Sequence, residues 1–137
     1  HSRNQLVGLF MTPRVLVLDN DSSLRDLLTL ALGRVDCEAV PCAHAAAAEE
    51  MLPSVDFLLL DLNLSEGNSG EQLALRWQEM SILPPFLLVT GAPDDARIQC
   101  LESIPSFRGV VSKPFSILEL VEQVRTLALG DEIETES

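Results

Sequence analysis

The sequence predicts one α/β domain, a doubly wound, five-stranded parallel sheet in the order 2-1-3-4-5 with helices on both faces. Three observations lead there. Five short runs of apolar, often branched residues alternate with stretches whose apolar residues recur at helical spacing. Those stretches can serve as the crossovers that parallel strands require, and such crossovers are right-handed. The chain is 47% hydrophobic but only 4% aromatic, so Leu, Val and Ala fill the strand runs at consecutive positions, as in strands covered on both faces. With 137 residues there is room for one domain with a real core and not for two.

In chain order, residues 15–18 (Val-Leu-Val-Leu) read as the first strand. Leu24, Leu27, Leu28 and Ala31 follow at the i, i+3, i+4, i+7 spacing of a helix stripe, with Asp21 as its N-cap and Gly33 as its stop. Residues 38–40 make a weak second strand. The Ala-rich stretch 43–52 is a helix closed by Pro53. Residues 57–60 form the third strand. After a loop of Gly, Ser and Asn, a helix over 72–80 sets Leu73, Trp77 and Met80 on one side, and Pro84-Pro85 resets the chain into strand four at 86–89. A short helix is expected over 94–103 and a fifth strand over 109–111. The last helix, 116–129, carries Leu120, Val121, Val124 and Leu127 as an apolar stripe. Residues 1–10 show no period and read as a leader foreign to the native chain, with Met11 as its start. The domain then covers 11–130, and 131–137 is an acidic tail.

Composition excludes several function classes. Nine Lys and Arg against 21 Asp and Glu give a net charge of −12, which repels a phosphate backbone and argues against direct nucleic-acid binding. No apolar run reaches the roughly 20 residues of a membrane helix, and the start lacks a secretory pattern. A cytoplasmic location is expected by default. Cys37, Cys42 and Cys100 are an odd set without a CxxC pair, as in a reducing compartment. Cys37, Cys42 and His44 lack the spacing and the fourth ligand of a zinc site and read as small core fillers plus a surface His.

The polar residues that end the strand runs carry the chemistry. Asp19 follows strand one, Asp61 follows strand three, Thr90 follows strand four and Lys113 comes just after strand five. In an open α/β sheet the site lies at the carboxyl ends of the strands, near the point where strand order reverses. Any one of these residues alone would pass as a cap or loop residue; four together define a site. Strands one and three are neighbours about 4.8 Å apart in this order, so Asp19 and Asp61 are forced together. Two carboxylates at that range raise one another's pKa unless a cation intervenes. Lys113 supplies one positive charge, and a hard divalent ion such as Mg²⁺ would supply the rest.

Here the chain resembles the response-regulator receiver family, the CheY-like group with the flavodoxin-like sheet order. The resemblance covers about residues 14–129. It rests on Leu-Asp-Asn-Asp at 18–21, Leu-Leu-Asp-Leu-Asn at 59–63, Val-Thr-Gly at 89–91 and Ser-Lys-Pro-Phe at 112–115. Receivers carry Lys followed by Pro, commonly through a cis bond. The resemblance implies Asp61 as phosphoacceptor, Asp19 with Asn20 at the acidic-pair position that holds Mg²⁺, and Asn63 as donor of a main-chain carbonyl to the metal. It implies Thr90 and Lys113 as partners of the phosphoryl oxygens. A histidine kinase or phosphotransfer protein would be the donor, and a downstream protein or output domain the recipient of the signal. Such a domain is a signalling module and not an enzyme, although it assists its own phosphorylation and dephosphorylation.

The chain also departs from the family. Asn20 replaces the second acid of the pair, which costs the pocket a negative charge and predicts weaker Mg²⁺ binding. Asp21 reads as a helix cap. Ser65 stands where receivers carry Pro, and Gly70 arrives one residue late. Val110 occupies the place of an aromatic switch residue, there is no Tyr, and Gly91 beside Thr90 leaves the pocket open. Ile98, Leu101, Val121 and Arg125 are candidates to line a partner-binding face, or else belong to the core and its rim. Two other functions remain open at this point. One is a receiver-shaped interaction module without phosphorylation. The other is a haloacid-dehalogenase-type phosphatase, with Asp19 as nucleophile, Asp21 as general acid, and Thr90 and Lys113 in its second and third motifs.

Overall fold

A computed structural model describes residues 12–130. The leader and the acidic tail expected from the sequence lie outside that range. Five parallel strands, β1 (Arg14–Leu18), β2 (Glu38–Cys42), β3 (Phe57–Asp61), β4 (Phe86–Thr90) and β5 (Phe107–Ser112), form one sheet in the order 2-1-3-4-5. The helices are α1 (Ser22–Arg34), α2 (Ala45–Met51), α3 (Gly70–Glu79) and α4 (Ile117–Ala128), with 3₁₀ segments at Leu52–Ser54 and Ala96–Leu101. Among the described residues no helix is long and apolar enough to cross a membrane.

Strand alternation divides the apolar residues between two cores. Leu16, Leu18, Leu58, Leu60, Phe86 and Leu88 point to one face, where they meet Ala48, Leu73, Trp77, Ile98 and Leu101. Val15, Val17, Phe57, Leu59, Leu87 and Val89 point to the other, under Leu28 and Leu32 of α1 and Leu120, Val121 and Val124 of α4. Burying one such side chain contributes about 2 kcal/mol, and the central strands β1, β3 and β4 are buried along nearly their whole length. Their rigid carboxyl ends are where the candidate site sits.

Several local expectations are corrected. The first helix does not stop at Gly33 but runs to Arg34. It closes by bonds from the Asp36 amide to the Gly33 carbonyl (3.4 Å) and from the Cys37 amide to the Leu32 carbonyl (3.0 Å). Asp36 takes the left-handed conformation (φ 63°) that this closure demands and that Asp tolerates. The buried stripe of α1 is Leu28, Ala31 and Leu32, while Leu27 faces outward with Leu30 into a shallow apolar groove shared with Leu118. The expected helix over 94–103 is a 3₁₀ segment. Ile98 and Leu101 stand three residues apart, one full turn of this segment, and both are buried on its inner side. For the same reason Ile98 and Leu101, together with Val121, are core residues and not a partner-binding surface, whereas Arg125 lies half-buried in the last turn of α4.

Candidate functional site

The register of the sheet assembles the site. Leu18 pairs with Leu60 across β1 and β3, so Asp19 and Asp61 are the next residues along two adjacent strands. Val89 pairs with Asp61 and Thr90 with Ser112, which sets Thr90 beside Asp61 and delivers the chain to Lys113. The Lys113 amide donates to the Thr90 carbonyl at 2.8 Å, and the Lys113-Pro114 bond is cis. Asp19, Asp61 and Thr90, at 3%, 5% and 0% exposure, are the buried polar or charged residues among those described. Burying such groups is costly without partners, so their convergence marks a site rather than a packing accident.

Lys113 Nζ stands 3.5 Å from Asp19 Oδ2 and 3.6 Å from Asp61 Oδ2. One ammonium thus faces two carboxylates. Burial, and then the charge of Asp19, push the Asp61 carboxyl up to about 6 despite the opposing pull of Lys113 and of the Asn63 amide. Backbone donors orient both acids. The Asp21 amide donates to Asp19 Oδ1 at 2.9 Å and the Asn63 amide to Asp61 Oδ1 at 3.3 Å. Asn20 is exposed at the rim beside Asp19. Thr90 Oγ1 accepts from the Ala92 amide at 2.9 Å, which leaves its proton for a ligand.

Asp21 is spent on a cap: its Oδ1 accepts from the amides of Ser23 (3.0 Å) and Leu24 (3.3 Å). That is the role its position in the sequence suggested. Cys42 and Cys37 are buried, the Cys42 thiol donates to the His44 carbonyl at 3.2 Å, and burial pushes the Cys37 thiol up to about 11. A protonated thiol is a poor metal ligand. Among the described residues no three or more His, Cys, Asp or Glu side chains converge. A metal between Asp19 and Asp61 would therefore rely on two carboxylates, carbonyl oxygens and water. That donor set suits Mg²⁺ and not zinc.

The late glycine has a physical explanation. Residues 62–70 form a small hairpin, with Asn63 bridged to Ser69, the Asn68 amide donating to the Ser65 carbonyl, and Glu66 and Gly67 at φ 64° and 75°. The hairpin takes up the extra residue and returns Gly70 against the backbone of Asp61. Its amide donates to the Leu62 carbonyl at 2.7 Å, and a Cβ at 70 would collide with the Asp61 carbonyl oxygen. Ser65 serves this hairpin as a turn acceptor.

Two residues at the site escaped sequence reasoning. Arg25 Nη1 donates to the Asp19 carbonyl at 2.7 Å, and Arg97 Nη2 donates to Asn63 Oδ1 at 3.2 Å. The first was legible as an i, i+6 relation across the α1 cap, but nothing in the sequence signals the second, which joins residues 34 positions apart.

No protein-family model matches the chain. It is 33% identical over 125 residues to the transcriptional regulatory protein AruR of Pseudomonas aeruginosa, covering 85% of this chain and 50% of AruR. It is 29% identical over 119 residues to SrrA of Staphylococcus aureus, covering 85% of this chain and 48% of SrrA. Among solved structures, a CheY-like response regulator receiver domain from Methanospirillum hungatei superposes with a TM-score of 0.76 at 20% identity, over 92% of this chain and 99% of that one. The chain shares the fold of CheY-like receiver domains and is similar in sequence to transcriptional regulatory proteins. The receiver domain of the Francisella response regulator 1452 has the same fold, with a TM-score of 0.73 at 19% identity over 88% of this chain and 99% of that one. The chain spans about half the length of the curated relatives it matches.

Proposed function

We propose that this chain is a response-regulator receiver domain that takes a phosphoryl group onto Asp61 from a histidine kinase or a phosphotransfer protein, with Mg²⁺ as its cofactor, and passes the change to a downstream protein or output domain. The observation that carries the reading is one ammonium, Lys113, held within 3.6 Å of two buried carboxylates. Such a pocket has surplus negative charge that a divalent cation relieves. Asp19 and Asp61 would hold the ion, with the main-chain carbonyl of Asn63 and the side-chain oxygen of Asn20 as further donors. When bound, Mg²⁺ offsets the charge on the transferring phosphoryl oxygens.

The residues of the chain supply the remainder. An Asp61 carboxylate oxygen attacks phosphorus in line. The bond from phosphorus to the donor's imidazole nitrogen breaks, and the imidazole leaves with the bonding pair. Lys113 pairs with one phosphoryl oxygen from where it already stands, and the Thr90 hydroxyl donates its free proton to another. Little covalent chemistry is asked of the protein, so it is a signalling domain, and its help in gaining and losing the phosphoryl group is part of the proposal. A cytoplasmic location accords with a kinase partner.

The deciding experiment is incubation with acetyl phosphate and Mg²⁺ followed by mass spectrometry. The expected result is a hydroxylamine-labile adduct that vanishes in Asp61→Asn. Failure of the unaltered domain to label would favour an interaction module without a phosphorylation cycle.

A further inference from the structure

A chain of hydrogen bonds runs around the mouth of the site from Asp61 to Thr90. The Asn63 amide donates to Asp61 Oδ1 at 3.3 Å, and Asn63 Oδ1 in turn accepts from Arg97 Nη2 at 3.2 Å. Arg97 grips Asp95 through Nε to Oδ1 (3.0 Å) and Nη2 to Oδ2 (2.8 Å), while its own amide donates to Asp95 Oδ1 at 2.9 Å. The Asp95 amide donates to the Ala92 carbonyl at 3.0 Å, and the Ala92 amide to Thr90 Oγ1 at 2.9 Å. Among the described residues, the Arg97 to Asn63 bond is the side-chain hydrogen bond that joins the 63–69 hairpin to the crossover after β4.

We propose that Arg97 is the positioning residue that couples the hairpin following Asp61 to the crossover following Thr90, so that loading of Asp61 reaches the Ala96–Leu101 segment through Asn63. The inference rests on Asp61 being the phosphoacceptor. A group attached to or held on Asp61 changes the charge and crowding of the carboxylate whose Oδ1 now accepts from the Asn63 amide, so Asn63 is the first residue it acts on. The change passes to a guanidinium whose planar fork holds a carboxylate with two nitrogens and keeps an N–H for the amide oxygen, a geometry that Lys does not reproduce. Arg97 sits next to Ile98, which together with Leu101 is buried in the core, so the segment moves as a packed unit. The chain has no Tyr, and Val110 on β5 offers no ring to swing inward.

The test is the amide NMR spectrum of the isotopically labelled domain with and without Mg²⁺ and beryllofluoride. In the unaltered domain, shifts are expected at Asn63 and onward through residues 95–101. Arg97→Ala and Arg97→Lys should each lose the shifts over 95–101 while keeping those next to Asp61, and Asn63→Ala should likewise lose the shifts over 95–101. The double variant Asn63→Ala, Arg97→Ala should lose no more than either single change, because both break one bond. Arg97 and Asn63 are exposed, and Asn63→Ala interrogates the same bond should an Arg97 variant fold poorly. If the variants retain the full pattern over 95–101, the coupling role of Arg97 is overturned while phosphorylation stands. If the unaltered domain gives no response around Asp61, the phosphoacceptor reading fails and takes this inference with it.

Discussion

Gly70 lies against the main-chain carbonyl of Asp61, so close that a Cβ at position 70 would occupy the space of that oxygen. The contact joins the start of α3 to the last residue of β3, and it makes the backbone under the proposed phosphoacceptor sensitive to one methyl group.

Gly70→Ala should therefore destabilise the domain by about 1–3 kcal/mol, the usual cost of overpacking a close contact. It should also slow labelling of Asp61, because relief of the clash displaces the carboxylate. Urea unfolding and acetyl phosphate labelling of the same variant measure the two effects. A substitution at Gly33, where a Cβ meets nothing within 4 Å, serves as the control.

The Asp61 carboxyl titrates near 6 in the folded domain against an ordinary value of 3.8. The folded state therefore binds this proton more readily than the unfolded state. The contribution of Asp61 to stability is fully present below about 4 and is lost as pH rises through about 6. At pH 7 without metal, Asp61→Asn should be the more stable protein, by on the order of 2 kcal/mol. The advantage should shrink as pH falls to 4. Denaturant midpoints of both proteins between pH 4 and 8 check this, and a constant difference across that range would contradict it.

Asn20→Asp adds a carboxylate at the rim beside Asp19. Mg²⁺ should bind roughly tenfold more tightly, as for an added interaction of about 1.4 kcal/mol. Isothermal titration of the two proteins gives the ratio, and equal affinities would remove Asn20 from the metal site.

Glu49 holds α2 to α3 by accepting from the buried Trp77 indole at 2.9 Å and from Arg76 Nε at 2.9 Å and Nη2 at 3.3 Å. Those two donors hold its carboxyl below the usual range. Glu49→Ala leaves a buried indole N–H unpaired and should lower the melting temperature and shift the emission of this single Trp. Glu49→Gln keeps an acceptor for the indole and should lose less. Fluorescence-monitored melting distinguishes the three proteins.

The architecture was legible because its signals are local. A run such as Val-Leu-Val-Leu at 15–18 is apolar at every position, and that alone calls for cover on both faces. Asp21 declared itself a cap by standing immediately before a helical stripe, and the structure uses it so. What misled was periodicity taken without depth. Leu27 fits a helical stripe as well as Leu28 does, yet only the angle at which α1 meets the sheet decides which is covered. Ile98 and Leu101 are apolar in a polar neighbourhood, and composition does not say whether they face a partner or the core.

By itself the sequence determined that four polar side chains would end four strands of one sheet, because strand ends follow from where apolar runs stop. Register decided that the two carboxylates meet one lysine at ion-pair distance. The tertiary structure alone decided that Gly70 must be bare and that Arg97 reaches Asn63. Each of these depends on distances between segments far apart in the chain, and such distances are set by how helices and loops pack on the sheet, not by any residue's own preference.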